Sequence, residues 1–330
     1  MKIFNHLLNF VAIGLLGYFA VALGLVFSQW PAPLGSGRTL DFDGVASHGS
    51  GDAAALDTYR ARDGATLGLR RYPSGGENAP LLVLVHGSGW HGLQFDRLAR
   101  ALAAQADVLV PDLRGHGVSP ARRGDVDYIG QLEDDLADLI ELERKSGQKV
   151  ILAGHSSGGG LVVRFAGGAH GDLIDGAVLL APFLKYNAPT TREYSGGWAH
   201  PLTRRIIGLT LLNNFNIKWL NHLTVIQFGF PTAVLEGPLG ATATTAYSYR
   251  LNTSFAPRSD YLEDIAALPR FLLIAGTKDE AFNATKYEPL MSGASDKGSY
   301  RLIPGVSHLG VVDAQETASR IGAFLSEFGG

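Results

Sequence analysis

The chain has 330 residues, of which 46% are apolar and 18% charged, and a formal net charge of −3. This length can bury a substantial core in one large domain or two small ones, and the near-neutral balance leaves no electrostatic footprint for nucleic acid. Cysteine is absent, which excludes disulfides, thiolate metal sites and a cysteine nucleophile and leaves covalent chemistry to Ser, His, Asp, Glu, Lys or Tyr.

The first segment differs from the rest. Leu7 to Phe27 carries no charged side chain, and a run of about 20 apolar residues matches the hydrocarbon thickness of a bilayer. Residues 1–30 therefore read as a single-pass membrane anchor, longer than the roughly 7–15 residues of a secretory core. Two other readings stay open. Ala20-Val21-Ala22 resembles a small-residue cleavage site, which would give a secreted domain, and the run could be a buried helix. Lys2 ahead of the run favours an extracytoplasmic catalytic domain, with Arg38 beyond it as a counterweight. Residues 31–55 are rich in Pro, Gly, Ser and Asp and read as a flexible linker.

Residues 56–330 read as the catalytic domain. Thr58 to Tyr72 resembles two short strands joined at Arg62-Asp63-Gly64, an Asp-Gly turn signal. Leu81–His86, Val108–Pro111, Val150–Ala153, Ala177–Leu180, Phe271–Ala275 and Tyr300–Ile303 are short apolar runs of strand type. Between them Asp96–Ala103, Ile129–Arg144 and Ala314–Phe328 have helical spacing. The second of these sets Leu132, Leu136, Leu139 and Leu142 on one face with acids opposite. Uninterrupted apolar runs alternating with amphipathic helices imply an α/β class with a mostly parallel sheet covered on both faces. Residues 184–260 break the alternation and are too long for an ordinary connection. Their apolar content, Ile206, Leu209, Leu212, Trp219, Phe228 and Phe230 included, reads as a mostly helical cap over a site.

Gly154-His155-Ser156-Ser157-Gly158 is a G-x-S-x-G pattern, and it lies between a strand and a helical stretch as that motif requires. A nucleophile at such a turn sits in a strained backbone conformation, and glycines two residues to either side relieve the crowding. The helix amino end then directs free N–H groups at a developing oxyanion. Ser156 needs a base and an orienting acid, which this arrangement supplies in the chain order Ser, acid, His. Asp279 follows the strand Phe271–Ala275 and His308 follows Tyr300–Ile303, both at carboxyl ends of strands where open α/β sheets hold their sites. Glu280 and Asp313 compete for the acid role. The two oxyanion donors are expected from the N–H of Ser157 and from the loop His86-Gly87-Ser88-Gly89-Trp90, with Ser88 first and Gly89 second. His86, Asp112 and Arg114-Gly115-His116-Gly117 are expected to fix loops, and His155 to be a neighbour of the nucleophile rather than its base.

These residues together resemble the monoacylglycerol lipase and lysophospholipase group of α/β-hydrolases, the serine aminopeptidase-like set. The matching pieces are His86-Gly87-Ser88-Gly89, Pro111 to Ser119, Gly154 to Gly159, Gly276 to Phe282 and Gly305 to His308. The resemblance runs from about Thr58 to the carboxyl end. It implies the α/β-hydrolase fold, a Ser156, Asp279, His308 triad and carboxylic ester hydrolysis without metal or organic cofactor. An apolar cap beside a membrane segment suggests a lipid-like ester, a monoacylglycerol or lysophospholipid, as the small-molecule partner. The same triad could serve a peptidase, thioesterase or acyltransferase. An aminopeptidase would need acids near its pocket, and Glu193 and Glu236 are the main ones in the cap. From another class, an inactive membrane-tethered binding module would keep the fold and lose the chemistry.

Overall fold

The computed structural model describes residues 2–34, 39–42, 54–76 and 78–329. Eleven strands are present among them: β1 (Asp57–Arg60), β2 (Thr66–Tyr72), β3 (Leu81–Val85), β4 (Asp107–Pro111), β5 (Val150–His155), β6 (Gly176–Leu180), β7 (Ala199–Pro201), β8 (Thr224–Phe228), β9 (Ala246–Ser248), β10 (Arg270–Gly276) and β11 (Gly298–Ile303). Eight form one sheet in the order β1-β2-β4-β3-β5-β6-β10-β11. The first two pairings are antiparallel and the remaining five parallel. β3, β5 and β6 are buried along their whole length, which is why they read as continuous Leu, Val and Ile runs rather than alternating ones.

The longer helices are α1 (Lys2–Phe27), α2 (Asp96–Leu102), α3 (Gln131–Glu143), α4 (Ser157–Ala166), α5 (Thr203–Asn213), α6 (Tyr249–Phe255), α7 (Tyr261–Ala267) and α8 (Gln315–Leu325). α2 and α8 pack together on one face of the sheet, and α3, α4 and α7 cover the other. Leu132, Leu136 and Leu139 of α3 are fully buried, whereas Leu142, at the margin of that face, is exposed. The acids of α3 do not all face water. Glu133 is buried against Arg164 and Arg258, and Asp135 against Arg114.

The insertion after β6 is part sheet, where a mostly helical cap was expected. β7, β8 and β9 form a separate three-stranded antiparallel sheet beside α5 and α6. The β-branched run Thr224-Val225-Ile226 favours extension, but its two partners are only three residues each, too short for a period to show. Of the proposed linker, residues 35–38 and 43–53 lie outside the described residues. Residues 39–42 pack on the domain: the Thr39 hydroxyl donates to the Gly229 carbonyl, and Phe42 rests against Trp90, Trp198 and Phe230.

Candidate active site

The strand order reverses between β3 and β5, so the loops leaving their carboxyl ends diverge and open a crevice. The loop after β3 and the turn after β5 meet there. Ser156 adopts φ 54° and ψ −121°, a conformation an L-residue holds only under external constraint. The constraint is visible: Ser156 N donates to Leu180 O at 2.9 Å, and Ser156 O accepts from Phe183 N at 2.9 Å and Gly160 N at 3.1 Å. Both flanking glycines are required by close approach. A Cβ on Gly154 would fall on the Gly158 carbonyl, and one on Gly158 would fall on the Val85 and His86 carbonyls.

The structure brings Ser156, His308 and Asp279 into one line. Ser156 Oγ lies 3.0 Å from His308 Nε2, and His308 Nδ1 lies 2.9 Å from Asp279 Oδ2. A carboxylate can only accept, so Nδ1 carries the ring proton and Nε2 is free to accept the Ser156 proton. Asp279 Oδ1 accepts from the N–H groups of Ala281 (2.8 Å) and Phe282 (2.7 Å). Burial pushes the Asp279 carboxyl upward, but His308 and these two donors outweigh it and hold it below the usual carboxylate range. Glu280 does not reach the imidazole. Its carboxylate accepts from His308 N at 2.9 Å and from Asp41 N at 2.8 Å, so it braces the histidine loop against residues 39–42.

Ser157 opens α4, where the first-turn N–H groups have no intrahelical partner. Ser88 lies beside Ser156, and its Oγ accepts from the Trp198 indole at 3.2 Å. Gly89 N is already engaged, donating to the Tyr247 hydroxyl at 2.6 Å. Among the described residues the N–H groups of Ser88 and Ser157 have no protein acceptor.

The histidines expected to be structural are all buried and hydrogen-bonded. His86 donates from Nδ1 to Gly87 O (2.8 Å) and accepts at Nε2 from Leu113 N (3.0 Å), joining the loops after β3 and β4. Asp112 Oδ1 receives Arg70 and Gly92 N in the same layer. His155 donates from Nε2 to the His308 carbonyl at 3.0 Å, and Gln94 Nε2 lies 3.3 Å from its Nδ1. Burial pushes His86 and His91 down to about 4, His155 down to about 3, and His116 well below the ordinary value of 6.5. The unfolded chain then binds more protons than the folded one below pH 6.5. Stability is therefore expected to fall as pH drops from about 6.5 towards 4, each histidine contributing up to about 1.4 kcal/mol per pH unit. Denaturant midpoints measured from pH 7.5 to 5 check this. A flat profile would mean that these rings are solvated in solution.

A family model for the serine aminopeptidase, S33 group matches residues 76–315, a stretch that contains the Ser156 turn, Asp279 and His308. The chain belongs to this S33 family. Among curated proteins it is 29% identical to human monoglyceride lipase over 155 residues, covering 46% of this chain and 49% of the lipase. It is 33% identical over 158 residues to the pimeloyl-[acyl-carrier protein] methyl ester esterase of Chromobacterium violaceum, covering 47% and 56%. It thus spans about half the length of these two relatives. Solved structures with the same fold include a monoglyceride lipase from Saccharomyces cerevisiae, at TM-score 0.63 and 19% identity over 85% of this chain and 97% of that one. A bacterial membrane phospholipase A aligns over 99% of both chains at TM-score 0.58 and 22% identity.

Two parts of the site in this S33 chain carry no motif. One is Tyr247 of β9, whose hydroxyl accepts from Gly89 N and meets His116 Nε2 at 2.5 Å, while His116 Nδ1 donates to Arg114 O at 3.0 Å. The polarity is consistent throughout: Tyr247 donates to His116 and receives Gly89, so a cap residue holds the loop that carries Ser88. Tyr247→Phe leaves the Gly89 donor buried and unpaired, a cost of about 1–3 kcal/mol. It is expected to lower kcat about 10- to 100-fold with KM little changed, because Ser88 N, on the loop that Tyr247 holds, is needed most where the oxyanion develops. Steady-state ester kinetics check this, and an unchanged kcat would detach Tyr247 from the site. The other part is Leu40 and Phe42, which line the crevice beside Ser156 and His308. A linker composition gives no hint of such contacts.

Proposed function

We propose that this S33 chain is a serine hydrolase of carboxylic esters that carry a lipid-like acyl chain, such as a monoacylglycerol or a lysophospholipid. The observation that carries the reading is the unbroken line from Ser156 Oγ through His308 to Asp279, beside two unengaged N–H groups. In this mechanism Ser156 Oγ attacks the ester carbonyl as His308 Nε2 takes its proton. The N–H groups of Ser88 and Ser157 receive the oxyanion. Asp279 keeps the imidazole in the required tautomer and stabilises the imidazolium. His308 then gives the proton to the departing alkoxide, leaving Ser156 acylated. Water, deprotonated by His308, attacks the acyl-enzyme and regenerates Ser156 with release of the carboxylic acid.

Two chambers meet at Ser156 and support the lipid reading. The larger is lined by Phe183, Trp198, Ile226, Phe228, Phe255 and Phe282 among others, and includes Ser157. The smaller includes His308, Leu309, Leu40 and Phe42. Since His308 must protonate the leaving group, the alcohol belongs in the smaller chamber and the acyl chain in the larger. Among the described residues lining either chamber there is no Asp or Glu. An aminopeptidase substrate would bring a free ammonium with nothing to pair it, which favours the ester reading within this family. We further propose that α1, 26 residues long, strongly apolar from Phe10 to Phe27 and mostly exposed, anchors the protein in a membrane.

Hydrolysis of chromogenic esters of increasing acyl length tests the substrate class. The expected kcat/KM rises with chain length, by a few-fold for each added methylene buried, since one CH2 contributes about 0.8 kcal/mol. Activity confined to the shortest acyl groups would keep the hydrolase and remove the lipid substrate.

A further inference from the structure

We infer that the tip of the cap, the turn Phe215 to Trp219 that follows α5, is a second membrane contact, seated in the interfacial layer of the bilayer that α1 enters. The inference rests on α1 being an anchor and adds where the catalytic domain meets the lipid.

The packing of α1 against α5 fixes the geometry. The two helices run antiparallel. Near the end of α1, Arg205 Nε donates to Val26 O at 3.1 Å, and its guanidinium stacks 4.6 Å from the Trp30 ring. Further along, a Cβ on Gly208 would meet Ala22 O at 2.6 Å, so the backbones are in direct apposition there. Further still, Tyr18 Oη donates to Leu211 O at 3.0 Å, and the Phe215 ring packs at 5.0 Å from Tyr18 and 5.1 Å from Phe19. The cap thus descends along α1 from residue 26 to residue 18.

Length decides the consequence. Every residue from Lys2 to Gly17 is exposed, and this free stretch is about 24 Å long at 1.5 Å per residue. A bilayer core is about 30 Å thick. With the charge of Lys2 held at the far headgroup layer, the stretch from there to Gly17 falls short of a full crossing, and the remainder comes from the part that α5 accompanies. This carries the end of α5 to the hydrocarbon boundary.

The composition of the tip suits that depth. Phe215 is 47% exposed and Trp219 69% exposed, unusual for such large apolar side chains unless they have a partner. Tyr18, Phe19 and Phe215 make an aromatic cluster at one level of α1, as in the belts at membrane–water interfaces, and the exposed Trp219 follows four residues after Phe215. Lys218 and His222 beside them are exposed and can face headgroups. The continuity of this patch with the apolar surface of α1 identifies the occupant as lipid rather than a second protein.

Since the chain has no cysteine, single cysteines give a direct test. Trp219→Cys, Ile13→Cys and Leu142→Cys are each made in the full chain, labelled with an environment-sensitive fluorophore and reconstituted into phosphatidylcholine vesicles. Leu142, at the far end of α3, is the aqueous control. Ester hydrolysis by each labelled protein reports folding. The expected result is loss of most Trp219-site emission to a quencher carried near the lipid headgroup. The Ile13 site should respond to a deep-chain quencher, and the Leu142 site only to aqueous iodide. Iodide quenching at 219 with lipid quenching at 13 would overturn the tip contact and leave the anchor standing. Iodide quenching at both would overturn both. Protection at 219 from both quenchers, lost on dilution of protein in the vesicles, would assign the patch to a second copy and also overturn the proposal. The hydrolase reading is judged separately, by the Ser156 variant.

Discussion

Ser156→Ala is expected to lower kcat for ester hydrolysis by about 10⁶-fold, with KM little affected and the fold intact. The argument is chemical. Alanine removes the only oxygen within reach of His308 Nε2 in the line that ends at Asp279. Without a nucleophile the imidazole can still activate water, and the Ser88 and Ser157 donors can still receive an oxyanion. Residual rates of about 10³–10⁴ over the uncatalysed reaction are therefore expected rather than none. Stability should not suffer. Among the described residues the Ser156 side chain bonds only to His308, and the strained backbone at φ 54° is equally costly for alanine. Rates of purified wild type and variant on one soluble ester check this, together with matched thermal midpoints. A variant of near wild-type activity would mean that another residue is the nucleophile.

Asp279→Asn is expected to lower kcat by about 10⁴-fold. Asparagine keeps the size and can still accept from Ala281 N and Phe282 N through its carbonyl. That leaves its NH2 facing His308 Nδ1. An NH2 can only donate, so Nδ1 must accept and the ring proton moves to Nε2, which then points at Ser156 and cannot take its proton. The variant folds but holds the wrong tautomer. A rising pH should recover part of the activity, since hydroxide can remove the Ser156 proton in place of the ring. Comparable activity in Asp279→Asn and wild type, with Glu280→Gln inactive, would transfer the acid role to Glu280. The observed place of Glu280, on the backbone of His308 and Asp41, argues against that outcome.

The parts of the fold that were legible in the sequence are those where burial is complete. β3, β5 and β6 are covered on both faces, so their composition is unbroken apolar and their ends are marked by glycine or a polar turn. The nucleophile turn was legible because its two glycines answer backbone contacts that nothing larger permits. Asp279 and His308 were found from their positions after strands, which the parallel topology makes meaningful. Leu142 was misplaced because it lies at the margin of the apolar face, about 120° round the helix from Leu136, where spacing alone does not decide burial. The acids of α3 looked solvent-facing because their partners, Arg164 and Arg258, lie 31 and 125 residues away. The cap sheet was hidden because three-residue strands carry too little pattern to distinguish from loop. Tyr247 was hidden for the same reason as those ion pairs: its partners, Gly89 and His116, are 158 and 131 residues distant.

A consequence for function follows from where these hidden residues sit. Tyr247 and Trp198 both come from the insertion and both touch the loop that carries Ser88. The insertion thus lines the larger chamber and also holds the loop that carries Ser88. If α5 rides on the membrane with α1, the same insertion that meets lipid also holds the loop that carries Ser88. Substitutions in the insertion should then alter kcat as well as acyl preference.

The most direct measurement of the central claim is mass spectrometry of the folded protein after reaction with a fluorophosphonate ester. One adduct per chain is expected, on the peptide that contains Ser156, with labelling lost in both Ser156→Ala and His308→Ala. An adduct on a different residue, or no adduct on protein shown to be folded, would contradict it.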